Sequence, residues 1–132
     1  MIRIEKLSRQ FEVGNQIVRA LDHVDLEITE GEYVSIMGVS GSGKSTLLNI
    51  LGLLDTPTSG NYILSGINTS EMNDDEMAHI RSTKIGFVFQ SFHLIPRLTA
   101  AENIEMPMVL AGIKPKDRKE KVDLALSRVS LT

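Results

Sequence analysis

A glycine-rich stretch that ends in lysine and serine occupies residues 38–45. It reads Gly-Val-Ser-Gly-Ser-Gly-Lys-Ser and satisfies the pattern GxxxxGK(S/T) at every fixed position. Mostly apolar residues precede it at 33–37, and residues 44–51 have the apolar spacing of a helix. Glycines let successive backbone N–H groups converge on an anion, and a helix start adds unsatisfied donors and a positive dipole end. The stretch therefore predicts a strand–loop–helix unit that binds phosphate groups.

Each residue of this loop has an expected contact with a nucleotide. We expect Lys44 to bind the β- and γ-phosphates, the Ser45 hydroxyl to ligate Mg²⁺, and Thr46 to contact the α-phosphate. The alternative is a glycine-rich turn that fits by chance, which occurs in about 1% of chains of this length. The flanking strand and helix patterns favour nucleotide binding. The other residues expected to line the phosphates are Gly38, Val39, Ser40, Gly41, Ser42 and Gly43.

The composition is that of one small globular domain. The 132 residues are 42% hydrophobic and 23% charged, and they include no cysteine, which excludes a disulfide framework. Fourteen Lys and Arg against seventeen Asp and Glu give a formal charge of −3, so no basic excess indicates a nucleic-acid partner. Residues 1–6 include charged side chains and lack the apolar core of a signal peptide. No apolar run reaches the length of a membrane span. We therefore expect a cytoplasmic protein.

The rest of the chain predicts strands alternating with helices. Extended stretches on either side of Gly14-Asn15 predict an antiparallel hairpin that ends near Ile28. Thr99 and Glu102 have capping-box spacing, which predicts the start of a helix, and Pro107 should kink or end that helix. A final helix is predicted from Pro115. Further strands are predicted at 33–37, 62–64 and 84–89, and further helices at 44–51 and 74–81.

Two other classes of phosphate-loop protein would carry further features in their sequences. A GTPase should carry an NKxD-type base-reading motif and a DxxG switch, and neither occurs. A small-molecule kinase needs a basic lid over its second substrate. The cluster that could supply one is better explained as the solvated face of a helix: Lys114, Lys116, Arg118, Lys119 and Lys121. A kinase remains open, and ADP formation with added phosphate acceptors would reveal it.

Further segments resemble one known family. The phosphate loop is followed by Leu-Leu-Asn-Ile-Leu-Gly-Leu-Leu-Asp at 47–55 and by Thr-Ser-Gly at 58–60. Residues 87–96 read Phe-Val-Phe-Gln-Ser-Phe-His-Leu-Ile-Pro, and residues 98–104 read Leu-Thr-Ala-Ala-Glu-Asn-Ile. Together they resemble the ATP-binding-cassette (ABC) transporter ATPases. The likeness is strongest to the lipoprotein-releasing and macrolide-export group (LolD and MacB types), with the cell-division FtsE type close behind.

The resemblance implies roles outside the phosphate loop. Phe11 matches an aromatic that stacks on adenine, and Val18 a position that packs against the base edge. Gln90 matches the Q-loop glutamine, which joins the Mg²⁺ shell and senses the γ-phosphate, so Lys44 and Gln90 are the expected catalytic residues. Segment 91–108 would face a transmembrane permease. Without the family, Phe11 could instead fill a small hairpin core, and the apolar residues of 91–108 could equally be buried.

The resemblance also implies the fold and its organisation. We expect an α/β fold with a P-loop NTPase (RecA-like) core at 32–90. An antiparallel β subdomain would precede it at 1–31, and the start of a helical subdomain would follow at 91–132. Two copies of the intact protein are expected to enclose ATP and Mg²⁺ as a homodimer. This dimer would lie peripherally on the cytoplasmic face of the inner membrane and power export or lipoprotein release.

Three elements of these ATPases do not occur in the 132 residues. They are the LSGGQ signature, the strand ending in Asp-Glu that supplies the catalytic carboxylate, and the switch histidine. The resemblance therefore implies the amino-terminal part of an ATPase domain, which would not be active alone. The alternative is a nucleotide-binding module without turnover. Because the missing strands would leave an apolar sheet face uncovered, we expect the chain by itself to be marginally stable or to self-associate.

Overall fold

A long β-hairpin begins the chain in the computed structural model, which describes residues 1–131. Strand β1 (Ile2–Val13) pairs antiparallel with strand β2 (Gln16–Ile28). Gly14 adopts a φ of +61° in the two-residue turn between them, a conformation that costs glycine no steric clash. The hairpin predicted around Gly14-Asn15 is therefore confirmed.

Two shorter strands continue the sheet beyond β1. Strand β3 (Ser59–Leu64) pairs antiparallel with β1, and strand β4 (Ile67–Asn68) pairs antiparallel with β3. The order across the sheet is β2-β1-β3-β4. This sheet belongs to Met1–Phe87, the first of two compact units, and the second unit is Val88–Thr132.

A β-bulge interrupts the pairing of β1 with β2 close to the turn. Arg9 lies opposite Leu21, whereas the next residue of β1, Gln10, lies opposite Arg19. Ala20 is therefore the extra residue of β2 and has no counterpart on β1. A bulge of this kind turns one peptide out of the regular ladder.

Helix α1 (Lys44–Leu51) closes one face of the sheet. Its buried residues, Leu47 and Ile50, are three positions apart and so share a face of the helix. The Tyr62 hydroxyl donates a 2.8 Å hydrogen bond to the carbonyl of Leu51, which satisfies an acceptor in the last helical turn. The predicted bounds of this helix are confirmed. The hydrophobic core also contains Ile4, Leu7, Leu21, Leu53, Tyr62 and Leu64.

Helix α2 (Asp74–Lys84) follows a short 3-10 turn, Thr69–Glu71. Asn73 and Glu76 form a reciprocal capping box at its start. Acidic residues fill its first turn and basic residues its last, which suits the helix dipole. The helix predicted at 74–81 is confirmed and extends to Lys84.

Two helices account for most of the second unit. Helix α3 (Ala100–Leu110) begins after Thr99, which forms the predicted capping box with Glu102. Helix α4 (Pro115–Arg128) has Pro115 at its first position, where a missing N–H costs nothing. Of the two effects predicted for Pro107, a kink or an end of the helix, the end is wrong, since α3 continues to Leu110. Proline removes a single donor, and the Pro107 carbonyl still accepts the N–H of Ala111 at 3.0 Å.

The strands predicted at 33–37 and 84–89 are also wrong, because the structure has no strand at either place. Tyr33 and Val88 are each 102% exposed, and Met37 is 87% exposed. An apolar parallel strand is stabilised by neighbours that cover both of its faces. The described residues give these three side chains no such cover. The loop and helix of the predicted phosphate-binding unit are present without its strand.

Within residues 1–131, no helix is both long enough and apolar enough to cross a lipid bilayer.

Candidate nucleotide-binding site

The side chain of Lys44 folds back over the glycine-rich loop. Its ammonium group donates hydrogen bonds to the carbonyls of Gly38 (2.8 Å) and Val39 (2.6 Å). The Ser42 hydroxyl accepts a third, longer bond of 3.4 Å. The loop is thus closed around a positive charge.

The start of α1 supplies further donors beside that charge. Gly43 is the N-cap residue and contributes no side-chain bond, and the first turn contains no acidic residue. The amide of Leu47 is the first to reach an acceptor within the helix, the Gly43 carbonyl at 2.9 Å. The amides of Lys44, Ser45 and Thr46 precede it and are left for a ligand. Open amides and the positive end of the dipole together make an anion site.

Two glycines of the loop pack closely against other atoms of the protein. Gly43 has a φ of +88°, and a β-carbon there would overlap the carbonyl oxygen of Ala20. A β-carbon on Gly38 would lie 2.6 Å from the Ser42 hydroxyl oxygen. The neighbour of Gly43 is a backbone carbonyl, so packing excludes a side chain there. The neighbour of Gly38 is the end of a serine side chain, which can rotate away.

Phe11 and Val18 lie directly opposite each other on β1 and β2. Side chains that are directly opposite share one face of the sheet. Both are partly exposed, at 37% and 47%. The guanidinium carbon of Arg9 lies 4.5 Å from the centre of the Phe11 ring, so one side of this ring is already covered. An apolar, partly exposed pair of this kind offers a platform on which a flat base can stack.

The Ala20 bulge connects this platform to the phosphate loop. The Ala20 carbonyl lies against Gly43, whereas Val18 is two residues earlier on the same strand. Two residues of extended chain span about 7 Å. The structure therefore places Phe11 and Val18, which are expected to contact the base, close to the loop that is expected to contact the phosphates.

The residues expected to serve Mg²⁺ are accessible where the structure places them. Ser45 is exposed in the first turn of α1, and none of residues 1–131 hydrogen-bonds to its hydroxyl. Thr46, expected at the α-phosphate, is half-buried beside it. Gln90 belongs to the second unit and is exposed there. An exposed hydroxyl and an exposed amide oxygen are both able to ligate a hard cation.

The segment after Gln90 has an exposed apolar surface. Phe92 is 89% exposed, Leu94 63% and Ile95 44%, whereas Leu98 is half-buried. The side chain of Asn103 holds this segment in place. Its amide oxygen accepts the N–H of Ile95 at 2.8 Å, and its amide nitrogen donates to the carbonyls of Ile95, Leu98 and Thr99. The apolar side chains are thus displayed by an ordered backbone.

Sequence reasoning missed Arg9 and Asp55. The Arg9 guanidinium binds the Asp55 carboxylate through two hydrogen bonds of 2.8 Å while it covers the Phe11 ring. The two residues are 46 positions apart, and although Asp55 ends the 47–55 stretch, nothing in that stretch pairs it with Arg9. The available signal was the spacing of Arg9 and Phe11, which places both on one face of a strand.

Comparison with known proteins agrees with this geometry. Residues 21–132 match the family described as ABC transporter. The chain belongs to the ABC transporter family. A chain of the ATP-binding cassette MJ0796, in a dimeric post-hydrolysis state bound to ADP and Pi, superposes on 96% of this chain. Its TM-score is 0.86 and its sequence identity 45%. The fold is therefore that of part of an ABC ATPase domain.

Two curated members of the ABC transporter family illustrate the relationship. The ABC transporter ATP-binding protein YknY of Bacillus subtilis (strain 168) is 49% identical over 131 residues, which are 99% of this chain and 57% of that protein. The macrolide export ATP-binding/permease protein MacB of Burkholderia pseudomallei (strain 1710b) is 48% identical over 132 residues, or 20% of its length. The chain thus spans little more than half of the first relative and a fifth of the second.

Proposed function

We propose that this chain binds the triphosphate of ATP through residues 38–46. The observation that carries the proposal is the Lys44 ammonium group held on the Gly38 and Val39 carbonyls beside the open amides of α1. A fixed ammonium group and converging N–H donors are what a polyphosphate requires. The related cassette MJ0796, described as bound to ADP and Pi, supports the choice of ligand.

The base would occupy the Phe11 and Val18 side of the sheet. Stacking on an aromatic ring favours any base by about 1–3 kcal/mol, so this contact contributes affinity more than selectivity. Family membership is what favours adenine over other bases. Val18 would contact the edge of the same base, since it lies directly opposite Phe11.

The residues present fit a magnesium ion that accompanies the triphosphate. The Ser45 hydroxyl is exposed and unengaged among the described residues, and hydroxyl oxygen is a suitable ligand. We propose Ser45 and Gln90 as the chain's own ligands. The bound ion would neutralise phosphate charge, while the role of Lys44 is to hold the β- and γ-phosphates. Replacement of Gln90 by Ala in the full-length protein should lower kcat for ATP hydrolysis and leave ATP affinity within about twofold.

In the full-length protein we propose that ATP hydrolysis powers an ABC-type export or lipoprotein-release system. The relative named as a macrolide export ATP-binding/permease protein supports a transmembrane permease as the partner. The dimeric cassettes of known structure support a homodimer of ATPase domains. Such a protein would lie peripherally on the cytoplasmic face of the inner membrane.

The permease would dock on segment 91–108. Phe92, Leu94 and Ile95 expose apolar surface on a backbone that Asn103 holds, and exposed apolar patches mark protein interaction sites. Replacing Phe92 and Leu94 together by Ser should reduce co-purification with the permease and leave MgATP affinity unchanged. Retained co-purification would place the docking surface elsewhere.

Calorimetry with MgATP on the full-length protein tests the central proposal. Lys44→Ala should weaken binding by roughly 30-fold or more, because a charge-assisted contact to phosphate is lost. Lys116→Ala, which removes an exposed lysine from the second unit, should bind as the wild type does. Unchanged affinity of Lys44→Ala would contradict the site. Tight binding with no ADP release would identify a binding module without turnover.

A further inference from the structure

The Arg9 side chain occupies a position between a carboxylate and an aromatic ring. Its Nε and Nη2 atoms donate to the two Asp55 oxygens, each at 2.8 Å. Its guanidinium carbon lies 4.5 Å from the centre of the Phe11 ring. Arg9 and Phe11 are two residues apart on β1 and thus share a face of the sheet. One side chain therefore contacts both the ring proposed to stack on the base and a distant part of the chain.

The paired hydrogen bonds fix the plane of the guanidinium group. A bidentate Arg–carboxylate pair restricts orientation as well as distance, which a single-point contact does not. The pair is sheltered, because the Arg9 and Asp55 side chains are only 23% and 24% exposed. The Asp55 carboxylate also accepts the N–H of Thr56 at 2.8 Å, so its own position is held.

Asp55 lies on the segment that leaves α1, whose opposite end carries the phosphate loop. This segment is attached to β1 at two further points. The N–H of Thr58 donates to the Ser8 carbonyl at 2.8 Å, and the Thr58 hydroxyl accepts the N–H of Gln10 at 3.0 Å. The Arg9–Asp55 pair thus joins the strand that carries Phe11 to the helix that begins at Lys44.

We propose that Arg9, held by Asp55, is a positioning residue that fixes the Phe11 ring for stacking on the base. This inference rests on the proposed nucleotide-binding function. Arg9 covers one side of the ring, so the 37% of Phe11 that remains exposed lies on the part that Arg9 leaves open. A ring held in place before binding loses less freedom when the base arrives, and this raises affinity for the base alone.

A purely structural role predicts a different result. If Arg9 only stabilised the sheet, its loss would lower the affinity for every ligand of the site to the same extent. If Arg9 positions Phe11, its loss lowers the affinity for ligands that have a base and leaves the affinity for ligands without a base unchanged. Inorganic tripolyphosphate has the phosphates without the base, so it separates the two cases.

The experiment measures the affinity of the full-length protein for MgATP and for magnesium tripolyphosphate. Arg9→Met keeps the length of the side chain but removes the charge and the hydrogen bonds. It should weaken ATP binding by roughly fivefold and leave tripolyphosphate binding unchanged. Arg19→Met is the matched control, since it removes an exposed arginine from β2 and should change neither affinity. Asp55→Asn should reproduce the effect of Arg9→Met.

Three comparisons can overturn the inference. In a Phe11→Ala background, Arg9→Met should cause no further loss of ATP affinity, and an additive loss would contradict the proposal. Arg9→Lys lacks the paired hydrogen bonds and should resemble Arg9→Met, so full recovery with lysine would contradict it as well. Equal losses for ATP and tripolyphosphate would establish a structural role. A wild-type protein that bound neither ligand would contradict the proposed function itself, and the inference with it.

Discussion

The carbonyl oxygen of Ala20 lies within the space that a β-carbon on Gly43 would need. Ala20 is the extra residue of a β-bulge, so its peptide is turned out of the ladder between β1 and β2. Gly43 is the N-cap of α1 and has a φ of +88°. The contact brings the phosphate loop against the strand that carries Val18, and it is possible only without a side chain.

Gly43→Ala should therefore destabilise the protein more than Gly41→Ala does. Both glycines have positive φ, but a β-carbon on Gly41 would meet no atom within 4 Å. Left-handed strain costs alanine about 1–2 kcal/mol at either position, and the overlap with Ala20 adds to this only at Gly43. Urea unfolding of both variants measures the difference. Equal losses of stability would show that the Ala20 contact is unimportant.

Phe11→Ala should weaken MgATP binding by about 1–3 kcal/mol, because the stacking surface for the base is lost. Phe11→Tyr keeps the ring and should bind within about twofold of the wild type. Glu12→Ala is the control, since the next residue of β1 faces the opposite side of the sheet. Fluorescence titration with a labelled ATP measures all three. An unchanged affinity for Phe11→Ala would place the base elsewhere.

Tyr62 should make stability fall at high pH. Burial raises the pKa of Tyr62 from 10.0 to about 12 in the folded protein. Since the unfolded chain loses this proton first, the contribution is complete below pH 10 and is lost as the pH rises towards 12. Unfolding measured from pH 9 to 12 should show the decline.

Tyr62→Phe is the test of that assignment. Removing the hydroxyl leaves the Leu51 carbonyl without its 2.8 Å partner and should cost about 1 kcal/mol at neutral pH. The same variant should lose the part of the alkaline decline that Tyr62 causes. A decline identical to that of the wild type would assign it to other groups.

The capping box of α3 should make stability fall at low pH. The backbone N–H of Thr99 and then its hydroxyl donate to the Glu102 carboxylate, which lowers the pKa of Glu102 below 4.5. The stabilisation is therefore present above the ordinary pKa and is lost as the pH falls through the lowered one. Thr99→Ala removes the hydroxyl bond to the carboxylate, together with the bond that the hydroxyl accepts from the Glu102 N–H, and should raise the pKa of Glu102 part of the way back. Carboxyl NMR titration measures it, and an unmoved pKa would contradict the assignment.

The parts of the fold that the sequence predicted were those decided by local chemistry. The turn at Gly14-Asn15, the capping box at Thr99, and the run from the phosphate loop into α1 each depend on residues a few positions apart. Pro115 at the first position of α4 is likewise a local feature, because it depends only on the start of its own helix. Such features need no knowledge of the distant chain, because the backbone groups they satisfy are their neighbours.

The parts that failed depended on contacts between distant residues. Residues 33–37 and 84–89 have the apolar composition of buried strands, but apolar composition does not supply the neighbours that a parallel strand needs. The bulge at Ala20 and the pairing of Arg9 with Asp55 have no local signature. The helix that follows the glycine-rich loop was therefore predictable, whereas the Arg9–Asp55 pair beside Phe11 was not.

Hydrogen exchange of the full-length protein with and without MgATP would show directly whether the glycine-rich loop holds the triphosphate. The amides of Lys44, Ser45 and Thr46 are the donors that we assign to the phosphates, and a bound triphosphate would slow their exchange with solvent. We predict strong protection of a peptide covering 38–46, with weaker protection around Phe11 and Val18. If saturating MgATP left residues 38–46 unprotected, the nucleotide would not be held by this loop.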